Sequence, residues 1–186
     1  NLPTEEEEGE YFGDDPEEIF EVYLQTLPDG QAKAYRALGT SFRDGYLLVQ
    51  EGKAIEALER FATVDEAGRQ SPYFHLESAQ AHLLANQDAE ALSEIDGIEP
   101  SREIRRRVAE MRAVLLERLG RGEEAESEAE RVWTEGQDGD AAILFGEILL
   151  DHGKFERVLE IVKPFVHPAR PQPDVDRLAA RAHAGL

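Results

Sequence analysis

Residues 52–58 read GKAIEAL, and the same pattern returns three times further along the chain, as NQDAEAL over 86–92, GRGEEAE over 120–126 and GKFERVL over 153–159. The sixth residue of each copy is Ala57, Ala91, Ala125 or Val158, so the copies follow one another at 34, 34 and 33 residues. A fixed period of this size marks a stack of supersecondary units, each able to bury its apolar face only against its neighbours. The opening Gly or Asn suits a left-handed residue just past a helix end. The small sixth residue lets the following helix lie close to the one before it.

On either side of these turns the apolar spacing is helical. Tyr35, Leu38, Phe42, Leu47, Leu48 and Val49 predict one long helix over about 31–50. After each turn a second helix carries a single apolar stripe: Leu58, Phe61 and Ala62; Leu92, Ile95 and Ile98; Ala129, Val132 and Trp133; Leu159, Val162, Phe165 and Val166. Asp15, Pro16, Glu17 and Glu18 predict a helix start, with a capping carboxylate, Pro at the first helical position and acids at the positive end of the dipole. Ser101 is the predicted cap of the third repeat's first helix, and Asp174 that of a closing helix over 174–184. The expected architecture is an all-α solenoid of four helical hairpins, over about 38–71, 72–105, 106–138 and 139–171, with a flanking helix at each end and about ten helices in all.

The formal net charge is −20, from 40 acids and 20 bases, and nine of the acids fall in the first eighteen residues. Residues 1–14 are therefore expected to be a solvated, flexible tail. Such acidity argues against nucleic acid and anionic lipid, whose phosphates are bound by Lys and Arg. The longest apolar runs fall far short of the roughly 20 residues that a membrane helix needs. The absence of cysteine removes disulfides and thiolate chemistry, and leaves the compartment open between cytoplasm and export.

Candidate chemistry is sparse. His75 and His82 share a helix face at seven residues' spacing, but both fall on packing positions without a third ligand, so no metal is expected. Gly120, Arg121 and Gly122 read as a turn between helices rather than a phosphate loop. Arg102, Arg105, Arg106, Arg107 and Arg112 form the basic cluster, expected to pair with acids such as Glu99, Glu103 and Glu110. Trp133 is expected to wedge between repeats. No catalytic set converges and no cofactor motif occurs, so neither an enzyme nor a cofactor is expected.

The period, the small sites and the turns resemble those of tetratricopeptide repeats (TPR). Gly45, Ala79, Ala113 and Gly146 fall on that family's small helix-crossing site, and Phe61 on one of its aromatic sites. The resemblance covers about 38–170 and departs at other aromatic sites, where Ser41, His75, Ala109 and Ala142 stand, and in the family's proline, which is missing from all four copies. This implies a divergent member whose first helices line a concave, peptide-binding face.

Carried over residue by residue, that face comprises Phe42, Tyr46, Val49 and Gln50, then Tyr73, Leu76, Gln80, Leu83 and Leu84. It continues through Arg107, Glu110, Val114, Glu117 and Arg118 to Asp140, Ile143, Glu147, Leu150 and Asp151. It should be apolar and aromatic early and acidic late. The basic clamp that one family branch uses for carboxylate tails is absent, since Phe42, Tyr46, Leu76 and Gln80 stand there. The implied role is a scaffold that holds another protein or peptide, anchored on Phe42, Tyr46, Tyr73, Leu76 and Leu83 and steered by Asp140, Glu147 and Asp151 toward basic groups. A self-assembling structural module, or an accessory domain of a larger enzyme or secretion or assembly complex, is the alternative.

Overall fold

The structure, a computed structural model, describes residues 15–167 and 172–186. Within them twelve helices and no strand form. The predicted tail over 1–14 lies outside the described residues, as do Pro168 and Pro171.

Helix α1 (Pro16–Leu24) starts as its residues dictate: the Asp15 carboxylate accepts from the Glu17 amide at 2.9 Å and Pro16 takes the first turn. The long helix expected over 31–50 is two helices, α2 (Asp29–Ala37) and α3 (Gly39–Gln50). Gly39 stands at φ +79° between them, a left-handed turn that costs glycine least. The periodicity hides this break, because Tyr35 and Phe42 are seven residues apart and would share a face across two turns of an unbroken helix.

The repeats follow as antiparallel pairs. Helix α3 pairs with α4 (Ala54–Phe61), and a short α5 (Glu66–Arg69) leads to α6 (Pro72–Leu84) and its partner α7 (Asp88–Asp96). Next come α8 (Arg105–Arg118) with α9 (Gly122–Gly136), and α10 (Gly139–Asp151) with α11 (Phe155–Val162). Helix α12 (Pro173–Gly185) packs on α10 and α11.

All four hairpin turns are built alike. Gly52, Gly120 and Gly153 have φ of 74°, 73° and 70°, and Asn86 adopts 57°. In each turn the next amide reaches back five residues: Lys53 to Leu48 O (2.9 Å), Gln87 to His82 O (2.9 Å), Arg121 to Leu116 O (2.8 Å) and Lys154 to Leu149 O (2.9 Å). That bond is the mark of a Schellman stop, which satisfies carbonyls the helix end would otherwise orphan. Beyond the turns, Ala57, Ala91, Ala125 and Val158 are all fully buried, as close helix approach requires.

Two predicted caps are displaced. Helix α8 begins at Arg105 rather than beside Ser101, whose backbone carbonyl instead accepts from the Arg105 amide at 3.0 Å. Pro173 opens α12 with Gln172 before it, so Asp174 lies inside the first turn and acts through the helix dipole instead of capping.

The core has two main parts, beside a small third one of Ala109, Val132 and Ala141. An aromatic part gathers Phe20, Leu24, Tyr35, Phe42, Tyr46, Phe61 and Phe74 under α1 to α6. An aliphatic part of Leu, Ile, Val and Ala runs from Leu76 to Ala182, with Phe145 as its buried aromatic. Tyr73 packs against both. Trp133 is partly buried against the second part, edge-on to Phe165 with centroids 6.1 Å apart.

Candidate functional site

Counted from Leu38, Pro72, Arg106 and Gly139, the second, fifth, sixth and ninth residues of each repeat project from one side of its first helix. The fifth residues are Phe42, Leu76, Glu110 and Ile143, and the ninth are Tyr46, Gln80, Val114 and Glu147. The two ends of the chain treat this row differently.

Over the first repeats the row is covered by the chain itself. Helix α1 sets Phe20 and Tyr23 edge-on against Tyr46, with centroids 5.7 and 6.0 Å apart. Helix α2 lies against both α3 and α6. From it Tyr35 meets Phe42, Tyr46 and Tyr73 at 5.1, 5.4 and 6.0 Å. Phe42 and Leu76 are 0% exposed, Val49 5% and Tyr46 6%, so three predicted anchors and the groove residue Val49 form part of the core instead of facing a partner. Tyr73 is half-buried, and its hydroxyl donates to Glu103 at 3.1 Å. Gln80 and Leu83 are half-buried too.

The polar end of Tyr35 explains how a charge is tolerated below. Its hydroxyl donates to Glu77 Oε1 at 2.5 Å and accepts from Gln31 Nε2 at 2.8 Å, while Arg107 Nη1 donates to the same Glu77 oxygen at 2.9 Å. Glu77 is 0% exposed, and a buried carboxylate needs such partners. Burial, and then the Glu77 charge, pushes the Tyr35 hydroxyl far above its ordinary range, and burial pushes Tyr46 to about 12. Arg107, predicted to face the groove, thus joins the second and third repeats to α2 through Glu77.

Over the last two repeats the row is open. A groove of about 670 Å³ has Val114, Ile143 and Leu144 as its apolar floor, with Arg106, Glu110, Asp140, Glu147 and Asp174 around them. Val114 is 37% exposed, while Ile143 and Leu144 are half-buried. Four carboxylates and one guanidinium line it, and three of the four carboxylates are ion-paired, Glu110 with Arg106, Glu147 with Arg181 and Asp174 with Arg177. Arg106 is itself engaged, by Glu110 at 2.6 Å and by Asp138. The hydrogen bond from Arg106 holds Asp138 down at about 2, and Asp138 also caps α10 through the Ala141 amide at 3.0 Å. Arg181 binds Glu147 at 2.6 Å and reaches Asp151 at 3.8 Å. Asp140 is exposed and has no ion-pair partner among the described residues.

The predicted residues Val114, Asp140, Ile143 and Glu147 therefore come together around one groove, whereas Phe42, Tyr46, Val49 and Leu76 do not. Leu144 and Asp174 also line the groove and are not among the residues carried over by the resemblance. The i, i+1 pairing of Ile143 with Leu144 is the sequence signal for the first; nothing local marks the second, which α12 brings from another element. Three of the five clustered arginines are engaged inside the array, Arg106 on Glu110 and Asp138, Arg107 on Glu77, and Arg112 on Asp96 at 3.3 Å, while Arg102 and Arg105 are exposed, and of the acids expected to pair with the cluster Glu110 does so. His75 holds Glu94 at 2.5 Å and His82 holds Gln87 at 2.7 Å. Among the described residues no helix is long and apolar enough to cross a membrane.

No protein-family profile matches the chain, and no curated protein does. Among solved structures it is similar to a TPR-domain-containing protein from Parabacteroides distasonis ATCC 8503, with a TM-score of 0.60 and 14% identity. The match covers 92% of this chain and spans 29% of that one. In fold, the chain is a divergent TPR-like α-solenoid.

Proposed function

We propose that the protein is an interaction scaffold that holds a segment of another protein in the open groove over its last two repeats. The observation that carries this reading is the unequal treatment of one repeated row. The chain covers the row with its own aromatic residues at one end and leaves it apolar-floored and uncovered at the other. A groove with an apolar floor and a charged rim suits a peptide whose apolar side chains supply affinity while the rim selects and steers. Val114 and Ile143 are the anchoring contacts, and Asp140 favours a basic group on the partner, as do Glu147 and Asp151 where the partner's cation competes with Arg181. Binding, rather than catalysis, is what this surface offers.

The test is cross-linking with mass-spectrometric identification of partners, run on the parent chain, on Val114→Glu and on Glu128→Ala at the far helix α9. A partner captured by the parent and by Glu128→Ala, cross-linked to α8 or α10, and lost with Val114→Glu bears the reading out. Partners that persist with Val114→Glu, or that cross-link only elsewhere, overturn it.

A further inference from the structure

We infer that the segment taken by the open groove is an amphipathic α-helix with an aliphatic anchor and Lys or Arg on its flanks. This rests on the groove reading above and names its ligand. The chain already shows how its row of first helices receives an occupant, because α2 is one. It lies across α3 and α6, and the side it buries is a single helical stripe: Gln31, Ala32 and Tyr35. Small Ala32 permits the close approach, and Tyr35, one turn on, is the anchor.

Register equivalence then converts that example into a specification for the empty end. Where the Tyr35 hydroxyl finds Glu77, the sixth residue of its repeat, the fourth repeat has Leu144. A hydroxyl there would lose its water without gaining a partner, so the anchor is Leu, Met or Phe rather than Tyr. Where the second repeat presents Tyr73 as its second residue, the fourth presents Asp140, exposed and without an ion pair among the described residues. Glu110, Glu147 and Asp174 on the rim are already paired, with Arg106, Arg181 and Arg177, so the unpaired Asp140 is the carboxylate that attracts a cationic flank and repels an anionic one. The chain's own residues 1–14, with five Glu and no Lys or Arg, lack the cationic flanks that this rim favours. A second copy's α2 is a poor fit because its Gln31 and Tyr35 polar groups would meet Leu144.

The experiment uses the full chain and fluorescence anisotropy with three labelled probes. One is a hydrocarbon-stapled Leu/Lys amphipathic helix. The second is the same peptide unstapled with a central proline, and the third is the stapled helix with Glu for Lys. The stapled basic helix is expected to bind. The proline peptide should be at least about tenfold weaker, and the Glu peptide should not bind. Asp140→Lys, fully on the surface, should weaken the basic helix about tenfold at low salt, while Glu123→Lys on α9 leaves it unchanged. Equal binding of stapled and proline peptides, both lost with Val114→Glu, overturns the helical ligand but keeps the groove. Binding indifferent to both Val114→Glu and Asp140→Lys overturns the groove as well. Failure of the stapled basic helix to bind overturns the ligand assigned here, and the cross-linking test then decides the groove alone.

Discussion

The same side of the first helices is a core at one end of the molecule and a surface at the other. At the N-terminal end Tyr35, Phe20 and Tyr23 lie over Phe42 and Tyr46, and the buried Glu77 is answered by a tyrosine and an arginine. At the C-terminal end the corresponding residues are Ile143, Glu147 and Leu144; Arg181 of α12 meets Glu147, while Ile143 and Leu144 floor an open groove. A repeat array therefore does not assign one role to one register position. What covers the position decides whether an aromatic there is structural or a contact for a partner.

The largest break in this contrast should come from Tyr35→Ala. Removing a fully buried aromatic and leaving Glu77 short of a donor is expected to destabilise by about 3–5 kcal/mol, measured by urea unfolding, whereas Val114→Ala should stay within about 0.5 kcal/mol. If both variants unfold alike, α2 is not the cover described above.

Glu77→Leu makes the first end resemble the second, where Leu144 stands. It leaves the Tyr35 hydroxyl without its acceptor and Arg107 without its charge partner, so a loss of about 1–3 kcal/mol is expected. Adding Tyr35→Phe should recover part of that loss, because the apolar pair no longer buries an unmet donor. A double-mutant cycle with no coupling would show that the hydrogen bond carries no stability.

Two glycines compare the ends at their closest helix crossings. A Cβ on Gly45 would stand 2.5 Å from the Phe61 ring, and one on Gly146 would meet a methyl of Leu178 as closely, and both neighbours are themselves buried. Gly45→Ala and Gly146→Ala should therefore each cost about 1–3 kcal/mol, read from paired thermal melts, and a clearly milder effect at one end would show that its crossing can relax.

The smallest effect belongs to pH. His152 lies between Glu126 at 3.0 Å and Glu117 at 3.2 Å, with Lys154 also on Glu126, so it links the third and fourth hairpins. The hydrogen bond to Glu126 raises its pKa above the ordinary 6.5, with the Glu117 charge adding to it. A raised folded-state pKa means that the stabilisation is complete below 6.5 and is lost as pH rises through the raised value. From about pH 6 to about pH 8 the parent's melting temperature should fall relative to that of His152→Gln. Parallel curves would remove His152 as a joint between these hairpins.

Much of the fold was legible because its determinants are local. Gly52, Asn86, Gly120 and Gly153 need a left-handed backbone whatever surrounds them, and Ala57, Ala91 and Ala125 are small wherever helices meet. Asp15 and Pro16 start a helix from their own chemistry. The break at Gly39 was not read from the sequence, since the apolar spacing runs through it. The groove was half legible: Val114, Asp140, Ile143 and Glu147 follow from register, while Phe42, Tyr46, Val49 and Leu76 follow from the same register and are buried.

By itself the sequence determined the period, the turns, the small crossings and the acidic balance, because each depends on the conformational or steric limits of one residue and its near neighbours. Only the tertiary structure decided which stretch of the repeated row is covered. That outcome depends on where α1 and α2 come to lie after Gly39, on Tyr35 reaching Glu77 across 42 residues of sequence, and on α12 bringing Asp174 to the groove. Contacts between residues so far apart depend on the packing of whole helices, which no local pattern encodes.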